Sequence, residues 1–209
     1  MRTARAAAGL ICAGLATALV VVIVGGASYP GYDHVSQFIS ELGARGAPTG
    51  AAVSWLGFLP VGVLLVTGCA LAAASTRARP LAAIGFVLLA GYGAGYALSA
   101  PIPCDFQCGR GASPSAGQMA HELMGMVTYL SGIVGLAVLA VGLARSPTRA
   151  VAAATAAGAV TAFLAFGVMA GAEEVRGLAQ RVLEAAVGAS LLLVSIALFR
   201  GRVVAAPSA

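Results

Sequence analysis

Charge is what this sequence has least of. Only 9% of its 209 residues are charged and 60% are hydrophobic, with a mean hydropathy of +0.96. A soluble domain carries roughly 25% charged residues. At 9% there is too little charge to coat a water-facing surface, so lipid must cover much of the chain. Lysine is absent, and all twelve basic residues are arginine. They stand in ones and twos between apolar runs and form no patch, which argues against nucleic acid despite a net charge of +5. Histidine occurs only as His34 and His121. Charge is missing from the middle of every apolar run, where ion and proton relays usually place some, and no inverted repeat is recognisable. Support for a small-solute transporter is therefore thin.

What is present is a series of apolar runs. About 20 such residues suffice to cross a hydrocarbon core about 30 Å thick. Six runs qualify: Ala7 to Ala27, Ala51 to Ala74, Leu81 to Ala100, Met119 to Leu143, Ala150 to Ala170 and Ala179 to Phe199. Each must be helical, because lipid cannot satisfy bare backbone. The expectation is an all-α, polytopic bundle of six transmembrane helices forming one domain over residues 1–209. Pro60 lies inside the second run and should kink it. The first run resembles a signal peptide in its Arg2 and Arg5 and its Gly25-Gly26-Ala27 end. Its apolar core of about 17 residues exceeds a usual signal h-region, so a retained helix is expected.

Arginine sets the orientation. One set of ends carries eight: Arg2, Arg5, Arg77, Arg79, Arg145, Arg149, Arg200 and Arg202. The other carries four: Arg45, Arg110, Arg176 and Arg181. Both termini are thus expected in the cytoplasm, with the protein in the inner (plasma) membrane. The loops Ser75 to Pro80 and Ala144 to Arg149 read as plain inner connectors. Every acidic residue falls on the opposite side, as do both histidines: Asp33, Glu41, Asp105, Glu122, Glu173, Glu174 and Glu184. Any chemistry would face outward.

In the first outer loop, Pro30-Gly31 marks a turn. Asp33 suits the N-cap of a short helix through about Leu42, closed by Gly43. On that helix Val35, Phe38, Ile39 and Leu42 share one face, with Ser36 and Ser40 on another. Two readings stand: an amphipathic helix lying at the outer interface, and a re-entrant plug that seals the bundle. In the second outer loop, Cys104 and Cys108 sit four apart on an exported segment and should be oxidised to a disulfide. The alternative is a metal pair, but this spacing without a nearby ligand set is a weak zinc signal. Cys12 and Cys69 fall within helices and read as inert buried thiols.

At the start of the fourth run, Gln118, His121, Glu122 and Gly125 share one helix face. At the start of the sixth, Gln180, Arg181 and Glu184 share another. Ionisable groups at bilayer depth are expensive and are functional candidates by default. A structural ion pair, or snorkelling to water, explains them equally well. Gly91, Gly93 and Gly95 look like helix-packing residues, and Tyr92, Tyr96 and Tyr129 like interface-belt residues or site walls.

The segment Tyr32-Asp33-His34-Val35-Ser36-Gln37-Phe38-Ile39-Ser40-Glu41-Leu42-Gly43-Ala44 resembles the YISELGA signature of the DUF998 membrane proteins. Pro103-Cys104-Asp105 with Cys108 resembles their PCDxGC loop, and His121 and Gly177-Leu178-Ala179-Gln180-Arg181 match in kind. The resemblance implies a topology and no established chemistry. The Ser-Glu-Leu-Gly stretch is also similar to the Frag1/DRAM/Sfk1 six-span proteins, which include lipid-remodelling factors. Membrane hydrolases of the alkaline ceramidase kind bind zinc with three histidines and an aspartate, a set that two histidines cannot reproduce.

Three functions follow as expectations. The first is an enzyme or accessory factor for a lipid or lipid-linked substrate at the outer leaflet. His121, with Glu122 and Asp105, would then supply acid–base chemistry. Arg181 would hold a phosphate or carboxylate, and Glu184, Gln180, Glu41, Asp33, His34 and Ser40 would complete one pocket. The second is a non-catalytic scaffold or partner protein, and the third a transporter. The sequence identifies no cofactor, no metal and no protein partner.

Overall fold

The computed structural model describes residues 1–109, 113–145 and 147–203. Arg110, counted above with the outer arginines, lies outside these residues. The described chain is all helical, with six helices long and apolar enough to cross a membrane. They are α1 (Arg2–Ser28), α2 (Gly50–Ser75), α3 (Pro80–Leu98), α4 (Ala116–Leu143), α5 (Arg149–Gly171) and α6 (Arg176–Phe199). Successive helices are neighbours, and α6 closes the ring onto α1. Arg5 of α1 lies 5.4 Å over the Phe199 ring of α6, so both termini share one end of the bundle. That end holds the eight arginines. All the carboxylates lie toward the other, which we call the acidic end.

Helix α4 starts at Ala116, ahead of its apolar run. Ser115 caps α4 by accepting from the Gln118 amide at 3.1 Å. Helix α6 begins at Arg176, so Glu184 lies eight residues, or about 12 Å, along its axis. This is about two turns along the helix.

Pro60 acts differently from a simple kink. Residues Val53–Phe58 of α2 are π-helical, and the Leu59 amide reaches back five residues to the Ser54 carbonyl. The wide turn lies just before the residue that cannot donate a backbone bond.

Lipid is as apolar as leucine, so helices in a bilayer associate by close packing more than by apolar burial. Glycine makes that packing possible here. A Cβ on Gly85 would come within 2.7 Å of the Leu139 backbone nitrogen on α4. In α3, Gly91 and Gly95 lie against Ser131 and Thr128 of α4, while Gly93 lies against Leu65 of α2. Outward, Leu19, Val20, Ile23 and Val24 of α1 and Phe163 and Leu164 of α5 are exposed, as lipid-facing residues must be.

The connectors at the arginine end are tied together. Arg79 is buried, and its Nη1 donates to the Thr148 hydroxyl at 3.1 Å. Thr148 in turn donates to the Leu143 carbonyl. The two loops are thus stitched side to side, a contact their composition does not announce.

Gly85→Leu should lower thermal stability in detergent by about 1–3 kcal/mol through overpacking. Gly9→Leu is the control, since a Cβ at Gly9 meets nothing within 4 Å. It should leave the unfolding midpoint, followed by intrinsic fluorescence, essentially unchanged.

Candidate functional site

The first loop at the acidic end has little regular structure, so its backbone must find partners elsewhere. Asp33 accepts from the Val35 amide at 3.0 Å, the Ser36 amide at 3.2 Å and the Ser36 hydroxyl at 2.6 Å. These bonds hold its carboxyl below the usual range, the Ser36 hydroxyl contributing most. Asp33 therefore caps a turn, and the helix in this loop is only the 3-10 segment Ile39–Gly43. Ile39, Glu41, Leu42 and Gly43 are all buried. The segment is buried in the mouth of the bundle.

The first turns of α6 grip this loop. Gly177 faces the Gln37 backbone so closely that no Cβ would fit. The Leu178 amide donates to the Val35 carbonyl at 2.8 Å, and Gln180 Oε1 accepts from the Ile39 amide at 2.6 Å. Arg181 Nη1 donates to the Gln37 and Gly177 carbonyls at 2.9 and 2.8 Å. Its Nη2 donates to the Tyr32 hydroxyl at 2.6 Å, and that hydroxyl donates to the Phe38 carbonyl at 2.8 Å. Burial pushes the Tyr32 phenol up to about 12, so it stays a neutral donor.

Glu41 is the hub beneath. It is fully buried and accepts from Gln37 Nε2 at 2.8 Å and the Phe38 amide at 3.0 Å. Arg176 Nη2 stands 3.6 Å from it, with the guanidinium 4.4 Å above the Phe38 ring. Thr49 and Ser54 pin the other end of the loop, donating to the Leu42 and Gly43 carbonyls.

The second loop closes over the first. Cys104 and Cys108 form a disulfide with Cα atoms 4.9 Å apart. Ser40 donates its hydroxyl toward the Cys108 sulfur at 3.4 Å, and the Arg45 amide donates to the Cys104 carbonyl at 2.9 Å. Gln107 and Cys108 take left-handed backbone angles, φ 53° and 48°. Asp105 accepts from the Ser115 amide and hydroxyl, and its own amide donates to Gln118 Oε1. It thereby ties the loop to the start of α4.

Between these loops and α4, α5 and α6 lies a cavity of about 520 Å³. Of the residues singled out from sequence, His121, Glu122, Gln180, Glu184 and Ser40 line it. Asp105, Arg181, Glu41, Asp33 and His34 do not. Arg181 and Glu41 are spent on the first loop, Asp105 on the second, and His34 packs edge-on to Tyr32 at 5.0 Å. The cation at the wall is Arg176. It lies four residues before Gln180 and eight before Glu184, the same helix face, so periodicity could have found it.

The cavity's polar end is distinctive. Glu184 accepts from the Tyr92 hydroxyl, and the Tyr96 and Tyr129 phenols stand beside it. Gln180 Nε2 donates to the Tyr129 oxygen at 2.5 Å. On α4, Gln118 Nε2 donates to Glu122 at 2.8 Å. One His121 ring nitrogen, Nδ1, lies 2.7 Å from the Ile102 carbonyl. A carbonyl only accepts, so Nδ1 carries the proton and Nε2 is left as the ring's acceptor. Among the described residues no three His, Cys, Asp or Glu side chains gather as a metal ligand set.

The loop, the disulfide segment, the start of α4 and the start of α6 bring together every stretch that resembled DUF998. The family profile, described as a protein of unknown function (DUF998), matches residues 11–197. The chain belongs to this family. No curated protein and no solved structure matches it. For this DUF998 chain the signature residues divide by geometry. Glu41, Gly177 and Arg181 build the loop contact, while Gln180 touches both loop and cavity.

Glu41→Ala would leave Arg176, Gln37 and the Phe38 amide without their buried acceptor. It should cost about 3–5 kcal/mol of stability, read as a lowered unfolding midpoint in detergent. Glu174→Ala, at an exposed position, should leave that midpoint where it is.

Proposed function

We propose that this protein holds a lipid or lipid-linked molecule in the cavity at its acidic end, and that this end faces out of the cytoplasm. The observation that carries the reading is the amphiphilic cavity itself. Its volume of about 520 Å³ falls within the roughly 300–1,000 Å³ of small-molecule sites. Part of its lining is polar, with Glu184, Gln180, Gln118 and His121. Part is apolar, with Met126, Met169, Phe166 and Ala170, of which Met126 and Ala170 are exposed at the protein surface. A headgroup would occupy the first and an acyl chain would leave past the second. The excess of arginine at the opposite end supports the orientation.

If the protein acts on its ligand, His121 is the base, with Nε2 free to take a proton and Glu122 beside it. Asp105 and Arg181 would act only by positioning, since neither reaches the cavity. A scaffold without chemistry remains the second reading. It draws on the observation that most of the signature polar groups are consumed in holding the two loops.

A cavity-filling variant separates these readings. A Cβ at Gly125 meets nothing within 4 Å, and Gly125 lines the cavity. Native mass spectrometry of the purified protein should find a retained lipid in the wild type and none in Gly125→Phe, at unchanged thermal stability. Equal lipid retention in both would place the lipid outside the cavity and defeat the reading.

A further inference from the structure

Resting on that reading, we propose that the cavity selects a headgroup bearing an ammonium group, which seats against Glu184 between aromatic rings. The first argument is charge. Among the described residues, three carboxylates line the cavity, Glu122, Glu173 and Glu184, against one guanidinium, Arg176, a formal balance of −2. Arg176 already faces Glu41 at 3.6 Å. Arg181 is turned away to the first loop. Among the described residues no arginine bonds Glu184, which lies about two turns along α6. Around it stand the phenols of Tyr92, Tyr96 and Tyr129; Tyr92 donates a hydrogen bond to it and none of them brings a positive charge. A buried carboxylate without a cation either holds a proton or takes a counter-charge, and the cavity beside it has room for one to arrive with a ligand.

The second argument is independent and concerns the rings. The chain is poor in aromatics, with 7 Phe, 5 Tyr and 1 Trp. Yet Phe38, Phe58, Tyr96, Tyr129 and Phe166 all line this one cavity. Of these, Tyr96 and Tyr129 stand near Glu184. Tyr96 stands edge-on to Phe58, with centroids 6.0 Å apart, and to Tyr92 at 5.7 Å. Tyr129 is tilted against Phe166 at 6.2 Å. Ring faces attract cations, the more so when water is excluded, and recognition of ammonium groups by such cages is a general use of that attraction. A phosphate would meet the reverse: three carboxylates, and one arginine already engaged.

The test compares two short-chain phospholipids with identical acyl chains, phosphatidylethanolamine and phosphatidylglycerol, titrated against the full chain in detergent. Ethanolamine alone is a third arm. The expected result is roughly tenfold tighter binding of the ethanolamine lipid, a preference lost in Glu184→Gln. Free ethanolamine or tetramethylammonium chloride should displace the lipid from the wild type where sodium chloride does not. This arm needs no variant and stands even if Glu184→Gln fails to fold. Tight binding of free ethanolamine, equal to the lipid, would keep the ammonium site and remove the acyl chain from it. Equal affinity for both lipids, with no displacement by tetramethylammonium, would overturn the ammonium inference and leave lipid binding standing. Binding of neither lipid nor amine would overturn the underlying reading as well.

Discussion

The rest of this molecule depends on one contact, the grip of the first turns of α6 on the backbone of the first loop. Residues 33–38 cross the mouth of the bundle with a single backbone turn among them, the Gln37 amide donating to the Asp33 carbonyl. A non-helical backbone near lipid is tolerated only where protein satisfies its polar groups. Helix α6 does so from three positions: Leu178 bonds to Val35, Gln180 to Ile39 and Arg181 to Gln37. Gly177 is the condition for all three, because its missing Cβ admits the Gln37 backbone. Beneath them Glu41 collects the groups that would otherwise be buried unpaired.

That contact creates a cavity as a by-product of packing. The first loop is held over α6, and the disulfide segment is held on the loop through Ser40 and on α4 through Gln118. The helices below carry tyrosines in place of close-packed aliphatics, and they surround Glu184. The result is a lid of backbone and cystine over a pocket of phenols. At the other end, the Arg79–Thr148 contact closes the connectors and leaves the two ends unlike one another.

The six spans were legible in the sequence because length and hydropathy decide them alone. The family was legible too, through its loop motifs. The first loop was legible only in part. Asp33 followed by an apolar-periodic stretch satisfies the rules for a helix start, yet its carboxylate bonds Val35 and Ser36 in a turn, and the backbone beyond is claimed by α6. No local rule contains that competition, since Gly177 lies 140 residues from Gln37. The candidate site was legible as a set of side chains but not as an arrangement. Arg181 and Arg176 look alike in sequence, and both bond the first loop, but only Arg176 also reaches the cavity wall. Tyr92, Tyr96 and Tyr129 could be read as belt residues until their shared carboxylate was located.

The central claim is that residues 33–43 are held as part of the bundle by α6. Hydrogen exchange followed by mass spectrometry measures this directly. Peptides covering 33–43 should exchange as slowly as the start of α6, and Gln180→Ala should release both segments together. Fast exchange across 33–43 in the wild type, at the rate of a free loop, would contradict the account.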